Sequence, residues 1–358
     1  ICACLVGSEM CIRDSAYTDG YMRCSLTAGS LKQGIIENLF STQGNGMYQK
    51  GQSFELLNAL SNVQMHGYVG VLNSCDIYLE DIIKWFFEVY IKNEFGANGF
   101  ICNMPEKSDS ILSKYERVAT VMDGETKQFK LFCEEGEIDR ELYEMISGSV
   151  RYKEIPSLIK NKYAYANSNE IVREMHDMFS DQCVLSYTEK TGNKYNTFFE
   201  LLRLENVKPE EIEEYNFDEL NWLLERGVVY VSDGMLALNY ERIWILKELN
   251  DKGVICLQYK DSDILRKLIS EGEIRVESSL LSVSEWEYFN YVLNKSEFSN
   301  GLDLRNRYIH DTNSLDKRHQ QNDYIVLLKM FVILVIKINE EFCLQDKISK
   351  KGVDFYEL

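Results

Sequence analysis

Arg305, Asn306 and His310 place a permanent cation, an amide and a titratable imidazole in one short segment, Gly301–Thr312 (GLDLRNRYIHDT). A guanidinium can hold a phosphate and the charge that grows on it, while an imidazole can move a proton near neutral pH. The trio therefore suits phosphodiester chemistry. If the segment is helical, Asn306 and His310 share a face at i, i+4, and Arg305 lies about 140° from His310. Arg307, Lys317, Arg318 and His319 cluster around the motif and could meet the phosphates of a substrate. From residue 295 to 358 there are ten basic and ten acidic residues, a neutral stretch in a chain of formal charge −18. Asp311, directly after the histidine, would raise the His310 pKa or repel a phosphate.

Arg-x4-His is a weak pattern by itself, and a structural alternative stands beside the chemical one. Arg305 and His310 would then pin a short helix to its neighbours or tie a homodimer together, because polar groups at helix ends need partners.

The elements around the motif give it context. Ser284 is expected to cap a helix with Glu287 reaching back (S-E-W-E), and Trp286, Phe289, Tyr291, Val292 and Leu293 give that helix a bulky surface. The loop KSEFSNG leads to a short helix through Leu302–His310, then to a polar loop, DTNSLDKRHQQ. An apolar helix over about Asn322–Phe342 closes the region. Its longest apolar run, Ile325–Ile338, is interrupted by Lys329 and Lys337 and is too short to span a bilayer. It reads as a buried helix.

This arrangement, LRN-x3-H before a long apolar helix and after an aromatic capped helix, resembles the C-terminal part of HEPN-superfamily proteins over about Ser278–Glu341. The resemblance implies a helical bundle that dimerises with two motifs facing each other, and metal-independent cleavage of RNA through attack of the ribose 2′-hydroxyl on its neighbouring phosphate. By position, Arg305 would stabilise the phosphate, Asn306 orient it, and His310 act as general acid or base. Many motifs of this type carry glycine after the histidine, where this chain has Asp311. Several HEPN branches are binding modules, so a non-catalytic dimerisation or interaction module of a larger assembly is the alternative. The resemblance further suggests bacterial defence or a toxin-like stress response.

The chain has 358 residues, 45% of them hydrophobic, with 3 prolines, 22 tyrosines and 17 phenylalanines. That is a globular composition large enough for two or three domains. The acidic balance argues against a general nucleic-acid coat. Leu5–Ser15 (LVGSEMCIRDS) resembles the translation of a transposon adapter used in preparing sequencing libraries. Residues 1–15 are therefore set aside as non-native, with the expectation that a missing N-terminal part, which could hold another domain, precedes the rest. Cys2, Cys4 and Cys11 go with them. The other seven cysteines are scattered without a C-x-x-C pair, so reduced thiols, a cytoplasmic setting and neither metal nor cofactor are expected.

Helical spacing predicts one helix with Leu56, Leu60 and Val63 inward, and another, capped by Ser74, with Leu79, Ile82, Ile83 and Phe86 inward. Asn206–Glu214 (NVKPEEIEE) makes a boundary. Asp218–Glu225 should be a helix closed by Gly227, and Val228–Val231 with Met235–Leu238 a hairpin around Asp233-Gly234. Helix plus hairpin resembles a winged-helix element, but Glu210, Glu211, Glu213, Glu214, Asp218 and Glu219 oppose DNA binding, and a packing role is favoured. His176-Asp177 with Asp181 lacks the further ligands of a metal site, and Gly44-Asn45-Gly46 lacks the Gly-Lys-Ser/Thr of a phosphate loop.

The expected fold is mainly α: a multi-helical N-terminal region (16–205), a small α/β hairpin-containing insert (206–275) and a HEPN-like C-terminal helical bundle (276–358). The expected partners are a second copy, through the C-terminal bundle, and RNA, with no membrane.

Overall fold

The computed structural model describes residues 17–18, 23–24, 46–50, 52–146, 148, 150–259, 262–307 and 317–351. They are mainly helical, with small antiparallel sheets. The described residues divide into two compact units, those up to 160 together with 278–351, and those of 161–277. The first division falls at 160, inside the region 16–205 expected as one multi-helical part. Strand β3 (Tyr163–Ala166) pairs antiparallel with β6 (Ile255–Cys256) and β7 (Ile274–Glu277), which draws 163–204 into the second unit. β1 (Tyr17–Thr18) and β2 (Arg23–Cys24) form a separate antiparallel pair.

In the first unit, α1 (Gln52–Ser74), α2 (Leu79–Trp85), a π-helical turn (Phe86–Tyr90) and α3 (Ile91–Phe95) are followed by α4 (Ile111–Glu135) and α5 (Arg140–Met145). The second unit carries α6 (Asn169–Phe179), α7 (Phe198–Leu204), α8 (Phe217–Glu225), α9 (Tyr240–Lys252) and α10 (Asp263–Ser270). The chain then returns to the first unit for α11 (Val283–Leu293) and α12 (Lys317–Lys351). α12 packs on α4, α1 and α3, around Phe87, Phe129, Leu328 and Phe331. Among the described residues no helix is long and apolar enough to cross a membrane.

α12 is buried through its middle, lysines included. Lys337 pairs with Glu285 at 3.2 Å and Glu340 at 3.4 Å. Lys329 donates to Asn58, Ser61 and Asn62 of α1 at 3.2, 3.2 and 2.7 Å. That polar cradle corrects the expected orientation of α1. Phe54, Ser61, Met65 and Leu72 face inward, whereas Leu56, Leu60 and Val63 are 62%, 48% and 68% exposed. A buried ammonium needs oxygen ligands, so the core side of α1 mixes polar groups with Phe54, Leu57, Met65 and Leu72, while Leu56, Leu60 and Val63 stand on the exposed side.

Three further expectations are corrected. Ser74 ends α1, its hydroxyl donating back to Val71 O at 2.7 Å, and the residue before α2 is Tyr78. The capping box of α11 lies two residues earlier, with the Ser282 N–H donating to the Glu285 carboxylate at 2.8 Å, which Lys337 also holds. α12 begins at Lys317, inside the expected polar loop, and runs beyond Phe342.

In the second unit the hairpin forms as expected, β4 (Val229–Ser232) against β5 (Met235–Leu238). Asp233 and Gly234 take φ of 52° and 75°, the two positive values of a type I′ turn. α8 ends before Gly227, whose φ is 68°. The buried Glu174 carboxylate anchors the unit's α-helical side, accepting from Arg226 Nε at 2.6 Å and Arg242 Nε at 2.9 Å.

Candidate functional site

The end of α11 positions Arg305. The last carbonyls of a helix lack intrahelical donors, and here Tyr291, Val292 and Leu293 accept from the N–H groups of Leu302, Leu304 and Arg305 at 2.7, 3.1 and 3.0 Å. The Tyr115 hydroxyl donates to the Leu304 carbonyl, tying the same segment to α4. Residue 301 must be small: a Cβ there would sit 2.6 Å from the Asn294 carbonyl oxygen.

Those bonds also overturn the expected helix from Leu302. With its N–H groups given to α11 and Asp303 in the left-handed region at φ 53°, the segment 301–307 is an extended stretch and a turn. The Asn306 amide donates to Asp303 Oδ1 at 2.9 Å. His310 and Asp311, and with them the helical face expected to be shared by Asn306 and His310, lie outside the described residues.

Arg305 and Asn306 line a cleft of about 720 Å³ with Arg151, Tyr152, Asn290 and Asn294. Lys153, Lys295, Glu297 and Asp303 complete its charged lining, giving four cations against two acids. The Arg305 guanidinium pairs with the carboxylate of Asp123 from α4. Burial pushes the Asp123 carboxyl up to about 6, outweighing the opposing charges of Arg305 and Lys127. The Tyr152 hydroxyl is fully buried and its pKa rises well above the usual tyrosine value through that burial, with Asp123 adding to the effect. Neither Tyr152 Oη nor Asp123 Oδ1 has a hydrogen-bond partner among the described residues. The cleft thus holds a cation, a neighbouring acid and an unused hydroxyl.

The other expected phosphate contacts separate from it. Arg307 turns to α12, bonding Asp323 Oδ2 at 2.8 Å, and to the Leu302 carbonyl at 3.0 Å. Lys317, Arg318 and His319 are exposed on the first turn of α12 and do not line the cleft. His176 Nδ1 lies 3.1 Å from Asp177, and no group of three metal-ligating side chains stands together among the described residues.

Asp123 and Tyr152 were not singled out by motif. Asp123 carried a signal all the same: on α4 it follows Tyr115 and Ala119 at the spacing of the apolar stripe continued by Thr126 and the buried Phe129, and a carboxylate on a core stripe is rarely idle. Tyr152 lies in a short 3-10 turn with no periodicity to reveal it.

Fold and site together define a mainly helical protein with a polar cleft between residues 150–153, the end of α11 and the segment that follows it to Asn306. Compared with protein-family models, curated proteins and solved structures, the chain matches none of them.

Proposed function

We propose that this protein is a metal-independent endoribonuclease of the HEPN type, acting as a homodimer in which the Arg305 cleft holds the scissile phosphate. The observation that carries the reading is the concentration of four cations, Arg305 among them, in one cleft of a chain with formal charge −18. Arg305 neutralises the phosphate and the charge that builds as the ribose 2′-oxygen attacks, and Asn306 orients it. A base takes the 2′-hydroxyl proton, the P–O5′ bond breaks, and an acid returns a proton to the leaving oxygen. His310 fills the proton-transfer role. The products are a cyclic phosphate and a 5′-hydroxyl. Asp123 is a positioning residue, holding the Arg305 guanidinium from behind. The resemblance to HEPN proteins carries with it a part in bacterial defence or stress response, and the scattered cysteines support a cytoplasmic setting.

The second reading is a non-catalytic interaction module, favoured by one specific observation: Arg305 is ion-paired to a buried acid, as a structural clamp would be. One experiment separates them. Purified protein is incubated with mixed RNA in chelator, beside Arg305→Ala and His310→Ala variants matched for folding and oligomeric state. Cleavage by the wild type, lost in both variants, supports the nuclease. An inert wild type leaves the interaction module standing alone.

A further inference from the structure

Asp123 and Glu125 are two residues apart on α4, about 200° around the helix, so they serve different flanks of it. On the Glu125 flank lies a cleft of about 470 Å³ lined by Asn103, Ser113, Arg117, Gly124, Glu125 and Tyr143. Glu125 is fully buried, and neither carboxyl oxygen has a hydrogen-bond partner among the described residues. Gln128 next to it bonds Ile101, accepting from the N–H at 2.9 Å and donating to the carbonyl at 3.1 Å, and its amide and the Cys102 thiol are the donors nearest the Glu125 carboxyl, lowering its pKa by less than burial raises it. Cys102 offers only a weak thiol donor. Glu88 of the π turn accepts the Cys102 N–H at 3.0 Å and adds like charge, and Arg140 of α5 turns its guanidinium to the Gly99 carbonyl and to Gln128.

The remaining charged or titratable groups that share the cleft are Glu116 and Arg117 on α4 and Tyr143 on α5. A carboxyl buried so deeply without a bonded cation keeps its proton, and burial pushes Glu125 up to about 8. In that form it shows a donor and an acceptor side by side. Tyr143 stands over Gly124, where an added Cβ would lie 3.1 Å from its hydroxyl. Arg117 is exposed.

We propose that this cleft takes a nucleobase and its phosphate, the base edge pairing its own adjacent donor and acceptor with the Glu125 carboxyl, its ring lying against Tyr143 and its phosphate meeting Arg117. An organic cation, the other natural partner of a buried acid, would have to enter past Arg117. A cleft of this size lies within the range of small-ligand sites. The assignment rests on the RNA-directed reading above and gives it a base-reading subsite; the same chemistry would also hold a free nucleotide.

The test measures binding of the four nucleoside 5′-monophosphates and of a short single-stranded RNA to the full chain by calorimetry, across pH 6.5 to 9.5. Glu125→Gln keeps the donor–acceptor pair and cannot ionise, Glu125→Leu removes both, and Arg117→Ala changes only an exposed group. Circular dichroism and melting establish that each variant is folded. The wild type should bind at least one nucleotide and lose affinity about tenfold per pH unit above about 8. Glu125→Gln should bind without that pH dependence, and Glu125→Leu should bind at least about tenfold more weakly, one hydrogen-bonded pair's worth. Arg117→Ala should weaken monophosphates several-fold more than nucleosides.

Competition between RNA and nucleotide assigns the ligand to the strand, and nucleotide binding without competition assigns it to the free nucleotide. Equal affinity of the Gln and Leu variants, or a wild type that binds no nucleotide or RNA at millimolar concentration, overturns the pocket. Nucleotide binding with uncut RNA would sink the nuclease and keep the pocket. Cut RNA with nucleotide affinity and base preference unchanged in Glu125→Leu would do the reverse.

Discussion

Replacing Glu125 by glutamine isolates the energetic consequence of burying an unpaired acid. Its carboxyl moves from an ordinary 4.5 to about 8 in the fold. The folded state therefore binds more protons than the unfolded chain between those values, and raising the pH through that window destabilises the fold. Each pH unit corresponds to about 1.4 kcal/mol, so ionising Glu125 in place costs the wild type about 5 kcal/mol on the alkaline side of the window, an upper bound because the protein can relax. Glutamine keeps the shape and lacks the titration. The stability difference between Glu125→Gln and wild type should thus move in favour of the variant by about 3 kcal/mol from pH 5.5 to pH 8. Asp123 and the other titrating groups are present in both proteins and cancel in that difference. Urea unfolding followed by amide exchange within α4 reads the correct unit, since the chain has two. Parallel pH profiles would refute the reasoning, because they would mean that the carboxyl finds a charge partner and is already ionised at neutral pH.

Three other outcomes follow from the same geometry. Arg305→Ala leaves Asp123 buried without its cation, and should cost about 3 kcal/mol at pH 8 and progressively less as the pH falls toward 6, because the acid without its counter-charge takes a proton at higher pH than the about 6 it has beside Arg305; denaturation at the two pH values checks it. Gly301→Ala drives a Cβ onto the Asn294 carbonyl, a backbone atom that cannot swing aside, and should cost about 1–3 kcal/mol and lower the melting temperature. Leu60→Glu, on the exposed side of α1, should change stability by less than about 0.5 kcal/mol, whereas Asn62→Leu, which takes an oxygen from buried Lys329, should cost about 1–3 kcal/mol. Thermal melts that reverse this order would return α1 to the orientation its apolar pattern suggests.

The pair Leu60 and Asn62 also shows where periodicity stops being legible. The spacing of Leu56, Leu60 and Val63 correctly predicts a helix, yet the inward face is chosen by Lys329, which lies far away in sequence and demands oxygen ligands. The hairpin at 229–238 was legible because Asp-Gly encodes its own turn, a strictly local matter. The strand at 163–166 was not, because its partners lie about ninety residues or more downstream and nothing local marks it. At the site, Arg305 and Asn306 were found from residue type and do line one cleft, while the turn that presents them depends on α11 carbonyls that no local pattern announces. The cap at Ser282 rather than Ser284 has the same origin: Glu285 is the acid that Lys337 can reach.

Helix α4 ties these observations together. Its core-facing stripe of Tyr115, Val118, Met122 and Phe129 would pack more cheaply with apolar residues at 123 and 125, because each buried carboxyl is pushed up, to about 6 and about 8, against its own solvation. The two acids are handled differently. Asp123 keeps Arg305 as a counter-charge, so its carboxylate persists at neutral pH and can fix the direction of the guanidinium. Glu125 has no bonded cation, so it persists as a neutral acid, which can only be a donor–acceptor pair. A fold that needed rigidity alone would gain nothing from either choice, since leaving Asp123 Oδ1, Tyr152 Oη and both Glu125 oxygens without partners forfeits hydrogen bonds it could have made. On one flank of α4 the unsatisfied acid stands behind Arg305, which lines one cleft, and on the other Glu125 itself lines a second; under the proposed function these are the phosphate-holding and base-reading sides of one RNA site.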